Sequence, residues 1–155
     1  MARLKFLVRH WEKDVDAGTS PEASVKIQTP FGEGKPWYLH WASFVADYNE
    51  ETLGSSVEAN LLFNETNLKT AVPGIGSPSD QPIQGERVIH RFIAENLGGG
   101  GSDFAMTNIF KPPEPIKFDE NDYLGIWFNF VNKGGAAARF GCTVILAVAE
   151  DKYIE

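Results

Sequence analysis

Alternation between apolar and polar residues dominates the last third of the chain. Leu124, Ile126, Phe128 and Phe130 fall on every second position, and so do Phe140, Cys142, Val144, Leu146 and Val148. A period of two places those side chains on one face of a strand, so the pattern predicts two strands lining a core. Asn132-Lys133-Gly134-Gly135 between them has the composition of a turn.

The same pattern extends upstream. Residues 3–11 set Leu4, Phe6 and Val8 against Arg3, Lys5 and Arg9, predicting a half-buried strand with the apolar trio inward. Residues 24–29 predict a short strand with Val25 and Ile27 inward, and residues 56–64 one with Val57, Ala59, Leu61 and Phe63 on a single face. Residues 37–49, 86–96 and 103–110 complete the set, with Gly- and Pro-rich connections between them. The expected fold is all-β, an antiparallel sandwich forming one domain over residues 1–155. Residues 1–11 are a candidate N-terminal arm, able to add a strand to a neighbour's sheet.

A second periodicity competes in places. Trp41, Phe44, Val45 and Tyr48 have helical spacing, as do Val88, Ile89, Phe92 and Ile93, and Ser55 with Glu58 fits a capping box. The alternative is an α+β fold with two or three short helices at about 40–53, 56–63 and 86–97. Short segments rich in aromatic and β-branched residues, separated by frequent turn signals, favour strands.

Composition narrows the functional classes. A chain of 155 residues suits one domain with a real core. The net charge of −7 argues against a nucleic-acid partner, because phosphate binding needs clustered cations. Arg3, Lys5 and Arg9 read as a solvated strand edge. A single cysteine excludes an intrachain disulfide and a cysteine zinc site, and Cys142 on an apolar strand face reads as core. No apolar run reaches the ~18 residues of a membrane span, and the first residues lack the apolar stretch of a signal peptide.

Candidate chemistry is sparse. His10, His40 and His90 form no metal-binding motif, and no serine lies in a GxSxG elbow. Asp119, Glu120 and Asp122, with Glu114 upstream, are a weak calcium candidate; the DxDxDG loop is missing, and the acids read more simply as a turn. Gly98 to Gly101 lacks the Lys-Ser or Lys-Thr of a phosphate loop, and Asn64-Glu65-Thr66 is a chance-grade glycosylation sequon. Neither cofactor nor metal is expected. Trp37, Tyr38 and Trp41 are the binding candidates, since exposed aromatics stack on sugars or anchor interfaces; the competing reading puts them in the core. Strict alternation sets Trp37, Leu39 and Trp41 on one face and Tyr38 on the other. The long loop at 71–85 and the four glycines are candidate subunit contacts.

The segment "FKPPEPIKFDENDYLGIWFNFVN", the Gly turn and "ARFGCTVILAVAE" together resemble the final hairpin of a jelly-roll or TNF-like β-sandwich. "KPWYLHWASFVADYN" and "SSVEANLLFN" resemble the paired long strands of such folds. In manner the chain is similar to single jelly-roll proteins of virus and phage particles, the capsid, penton and decoration subunits. That resemblance implies a non-enzymatic structural subunit of a virus-like particle, located in the virion and working by protein–protein contact. Its partners would be other subunits, as a trimer or larger homo-oligomer or against a capsid protein. Two further readings stand beside it. One is a carbohydrate- or receptor-binding sandwich with Trp37 and Trp41 as platform and a glycan as ligand. The other is a small enzyme in which the histidines converge.

Overall fold

A computed structural model describes residues 3–50, 52–71, 87–96 and 104–154. Among these residues nine strands follow in order: β1 (Lys5–Val15), β2 (Glu22–Ile27), β3 (Trp37–Tyr48), β4 (Ser56–Phe63), β5 (Val88–Glu95), β6 (Phe104–Phe110), β7 (Ile116–Phe118), β8 (Leu124–Val131) and β9 (Ala138–Ala149). A single helical turn, α1 (Leu68–Ala71), follows β4.

The strands form two antiparallel sheets, ordered β1-β9-β3-β6 with β7 beside β3, and β2-β8-β4-β5. The pairing is that of a chain folded back on itself: β1 with β9, β2 with β8, β3 with β6, β4 with β5. Winding that long hairpin around a core makes β9 a neighbour of β3, and β8 a neighbour of β4. This is a jelly roll, as the sequence predicts.

The core is the space between the sheets. Leu124, Ile126, Phe128 and Phe130 of β8 face Phe140, Cys142, Val144, Leu146 and Val148 of β9 across it. Each such side chain contributes about 1.5–3 kcal/mol by leaving water. Aromatic pairs close both ends: Trp37 on Phe118 with centroids 4.2 Å apart, and Trp11 on Phe130 at 4.1 Å. Tyr48 stacks on Phe140 and turns its hydroxyl to the carbonyls of Ser55 and Ala94, at 3.1 and 3.3 Å. Burial pushes that phenol's pKa upward.

Four expectations need correction. The helices at about 40–53, 56–63 and 86–97 are not formed: those stretches contain β3, β4 and β5. The Ser55 hydroxyl accepts the Lys133 amide and Glu58 pairs with Arg91, so no capping box exists. The two carboxyl-terminal strands are not a hairpin, because β8 and β9 lie in opposite sheets and residues 132–137 arch between them. Likewise β3 and β4 are partners across the core and not within a sheet.

The third correction concerns β1. Leu7, Trp11 and Val15 pack on the core, while Phe6 and Val8 point away from it, the reverse of the expected orientation. Register decides it: Leu7 sits opposite Leu146, and Trp11 opposite Cys142. From Lys5 onward β1 is paired with β9 of its own chain over the strand's full length.

The fourth is a bulge. The β3–β9 register slips between Leu39 and Trp41, with His40 as the extra residue, its Nε2 3.0 Å from the Asp151 carbonyl oxygen. One inserted residue flips everything beyond it to the other face. Trp37 and Leu39 therefore point inward, while Trp41 joins Tyr38 on the outer face.

Candidate functional site

The two sheets treat their outer faces differently. On the smaller sheet, Leu62 and Trp127 are covered by Leu68 of α1, with Val88 alongside. The chain closes this face itself. The crossing is tight at Gly125, where a side chain would meet the Glu65 backbone. Beside that cluster lie Glu58, Asn60 and Asn129, all buried, and Arg91, whose Nε donates to Glu58 Oε1 at 2.6 Å. Burial pushes the Glu58 carboxyl above the usual carboxylate range, while Arg91 and Asn60 draw it back.

Among the described residues the outer face of the larger sheet is open, and its register builds it row by row. The first row is Phe6–Ala147–Trp41, with the two rings 5.7 Å apart and tilted by 51° over the small Ala147. The second is Val8–Ile145–Ser43–Ile109, and the third His10–Thr143–Val45–Thr107. The fourth is ionic: Arg139 donates to Glu12 at 2.9 Å and to Asp47 at 3.0 Å, reaching over Gly141. Phe6, Val8 and Ile109 are 56, 54 and 72% exposed, and Val45 is exposed as well. Four of the seven large apolar side chains exposed among the described residues thus share one face. Contiguous exposure of this kind marks an interaction surface.

The binding candidates divide. Trp37 is fully buried, its indole N–H donating to the Gln28 carbonyl at 3.2 Å, so it belongs to the core. Tyr38 and Trp41 are half-buried on the outer face.

The acidic residues diverge. Asp119 faces Lys117 at 3.4 Å, Glu114 faces Lys152 at 3.5 Å, and the Glu120 carboxylate lies beside Gly34. Asp122 is consumed by the turn, accepting from the Asp119 amide and from Asn64 Nδ2. No group of three His, Cys, Asp or Glu gathers at metal-holding distance among the described residues. The histidines also stay apart. His10 shares a 2.8 Å hydrogen bond with Thr143 on the outer face, His40 occupies the bulge, and His90 stacks on Phe110. Burial lowers the His90 pKa.

Cys142 is buried, and desolvation pushes its thiol up to about 12. It is expected to ignore a thiol reagent in the folded protein and to react fully in urea. Fast labelling of the native chain would contradict the packing described here.

Sequence reasoning missed Phe6, Val8, Val45 and Ile109 as surface residues. A faint signal existed: Phe6-Leu7-Val8 is apolar on both strand faces, which a half-buried strand does not need. The 71–85 loop, from residue 72, and the four glycines lie outside the described residues. No helix among the described residues is long and apolar enough to cross a membrane.

No protein-family model matches the chain, and no curated protein matches it. Among solved structures it is similar to dimeric latent PorU from Porphyromonas gingivalis, with a TM-score of 0.51 and 10% identity over 97% of this chain and 13% of that one. It is also similar to the 60-mer BFDV capsid protein (TM-score 0.43, 9% identity, 100% of this chain and 96% of that one). A third similar structure is the VP2 subviral particle of infectious bursal disease virus (TM-score 0.39, 11% identity, 96% and 32%). The chain therefore spans only a small part of PorU and about a third of VP2, and at such identities the PorU likeness speaks for the fold alone.

Proposed function

We propose that this chain is a non-enzymatic structural subunit acting through protein–protein contact, of the kind that builds or decorates a virus-like particle. The observation that carries the reading is the open outer face of the larger sheet. A sandwich needs only the inner face of each sheet to fold, so an outer face bearing Phe6, Val8, Val45 and Ile109 does not serve the core. Water exposure of those side chains is unfavourable, and burying them against protein recovers that free energy. The rows holding them contain one ionisable group, His10, so docking there desolvates little charge.

Light scattering across a concentration series tests this. Species larger than the monomer, growing with concentration, are expected; a strict monomer at every concentration removes the assembly reading. One observation favours a glycan-binding module as second reading: Tyr38 and Trp41 share the outer face. Against it, the Phe6 and Trp41 rings tilt by 51° and offer no flat platform for a sugar. Glycan-dependent quenching of tryptophan fluorescence would favour that second reading.

A further inference from the structure

We propose that the outer face of the larger sheet docks on the same face of a second copy, about a two-fold axis running across the strands through the Val8–Ile145–Ser43–Ile109 row. The inference rests on the reading of the chain as an assembling subunit and names the partner and the geometry.

The face is the right size. β3 and β9 are 12 residues long, which at ~3.4 Å per residue gives about 40 Å, and four strands at ~4.8 Å add about 19 Å of width. Allowing for the shorter β6, that is about 700 Å² per copy, close to the ~800 Å² a standard stable interface takes from each partner.

Charge fixes the direction. Beyond the aromatic row lie Ala149, Tyr38 and Lys117, with Lys117 half exposed and only loosely paired to Asp119 at 3.4 Å. At the opposite end Glu12, Asp14 and Asp47 surround the single cation Arg139. The Lys117 row and the Asp47 row stand equally far from the Ile145 row, four β9 residues on either side. An axis across the strands at Ile145 therefore sets the Ala149–Tyr38–Lys117 row of one copy over the row of Gly141 and Asp47 of the other, with Lys117 one strand aside from Asp47 and within reach of it. It also sets Phe6 and Trp41 over the Val45–Thr143 row. Turning the axis along the strands would keep each row over its own copy, bringing the two acidic rows together and leaving Lys117 far from Asp47, which is unfavourable. The residual angle between the sheets follows from their own twist.

One edge of the sheet, β1, is closed to the alternative. On edge strand β1, Lys5, Arg9 and Lys13 alternate with Leu7, Trp11 and Val15 on the core-facing side. Lys5 reaches over Phe31 and donates to the Pro30 carbonyl at 2.7 Å. Charges pointing inward along an edge disfavour the addition of another strand there, which leaves the face as the apolar surface on this side of the sheet.

The test uses the two-fold geometry. A residue on the axis faces itself, so Ser43→Cys should be joined into covalent dimers by a short bis-maleimide; buried Cys142 supplies no background. Asp14→Cys lies six residues off the axis, putting the two thiols about 40 Å apart, and should not cross-link. Ile109→Arg should return the protein to monomer, and Lys117→Glu should raise the dimer dissociation constant about tenfold at low salt and less at high salt. Failure of Ser43→Cys to cross-link while light scattering still shows oligomers overturns this geometry and leaves the assembly reading intact. A monomer throughout overturns both. If Ile109→Arg instead abolishes binding of a different protein or a glycan by a monomeric chain, the face is a docking site for that partner and self-docking is wrong.

Discussion

Gly125→Ala is expected to lose about 3 kcal/mol or more of folding stability, read as a fall in the urea midpoint. Gly125 stands on the outer face of β8, opposite Leu62, where the chain leaving β4 crosses the sheet. A methyl group there would run into the Glu65 carbonyl oxygen, with the Glu65 carbonyl carbon at 2.7 Å and the Thr66 Cα at 2.9 Å. These are backbone atoms, so no rotamer relieves the clash. The crossing segment is also pinned. Asn64, in the left-handed region at φ 55°, donates its amide to the Tyr123 carbonyl at 2.9 Å. Its side chain accepts the Tyr123 amide and donates to Asp122, each at 2.8 Å. Further on, Leu68 is wedged against Leu62 and Trp127. A glycine inside a strand where another backbone approaches closely has this consequence. Gly135→Ala is the control, because nothing lies within 4 Å of its added carbon, and it should change stability by less than about 0.5 kcal/mol. A loss below about 1 kcal/mol for Gly125→Ala would mean the crossing segment is free to move aside.

The second large effect is at the buried ion pair. Arg91→Ala is expected to cost about 3–5 kcal/mol at pH 8, the range for breaking a buried pair by removing one partner. Glu58 would remain almost wholly buried on the outer face of β4, between Asn129 of β8 and Ile93 of β5, without its cation. The deficit should shrink on acidification. Burial already raises the folded-state pKa of Glu58 above its unfolded value of about 4.3, and Arg91 opposes that rise. Removing Arg91 raises it further. A carboxyl with a raised folded pKa is best tolerated when protonated. Its stability contribution is therefore full below the unfolded pKa and is lost as pH rises through the folded one. Urea melts at pH 5 and pH 8 should show the smaller deficit at pH 5. Combining Glu58→Leu with Arg91→Met should recover most of the loss, because an apolar pair of similar volume leaves no buried charge. A pH-independent deficit would show that Glu58 is solvated in the variant.

How much of this was legible beforehand varies with the residue. Alternation identified the inward faces of β4, β8 and β9 correctly, because the interior strands carry apolar side chains at every core position. It failed on β1, where Phe6, Leu7 and Val8 are all apolar and the register with β9 must choose between two faces. It failed at Trp41, because a bulge at His40 is a property of the pairing and leaves no mark in composition. Alternation puts Glu58 and Asn60 on the face of β4 away from the core, yet both are buried there, which a period of two does not foretell. The candidate site suffered most, since it is assembled from β1, β9, β3 and β6, which are far apart along the chain.

Taken alone, the order of residues determined that this protein is a β-sandwich of antiparallel strands with an aromatic core, because a period of two is a local property. Tertiary structure alone decided which face of the amino-terminal strand meets that core, which sheet receives each of the last two strands, and which outer face exposes apolar side chains. Those are matters of register and winding, set by the packing energy of distant segments against one another, and no local window of sequence contains them.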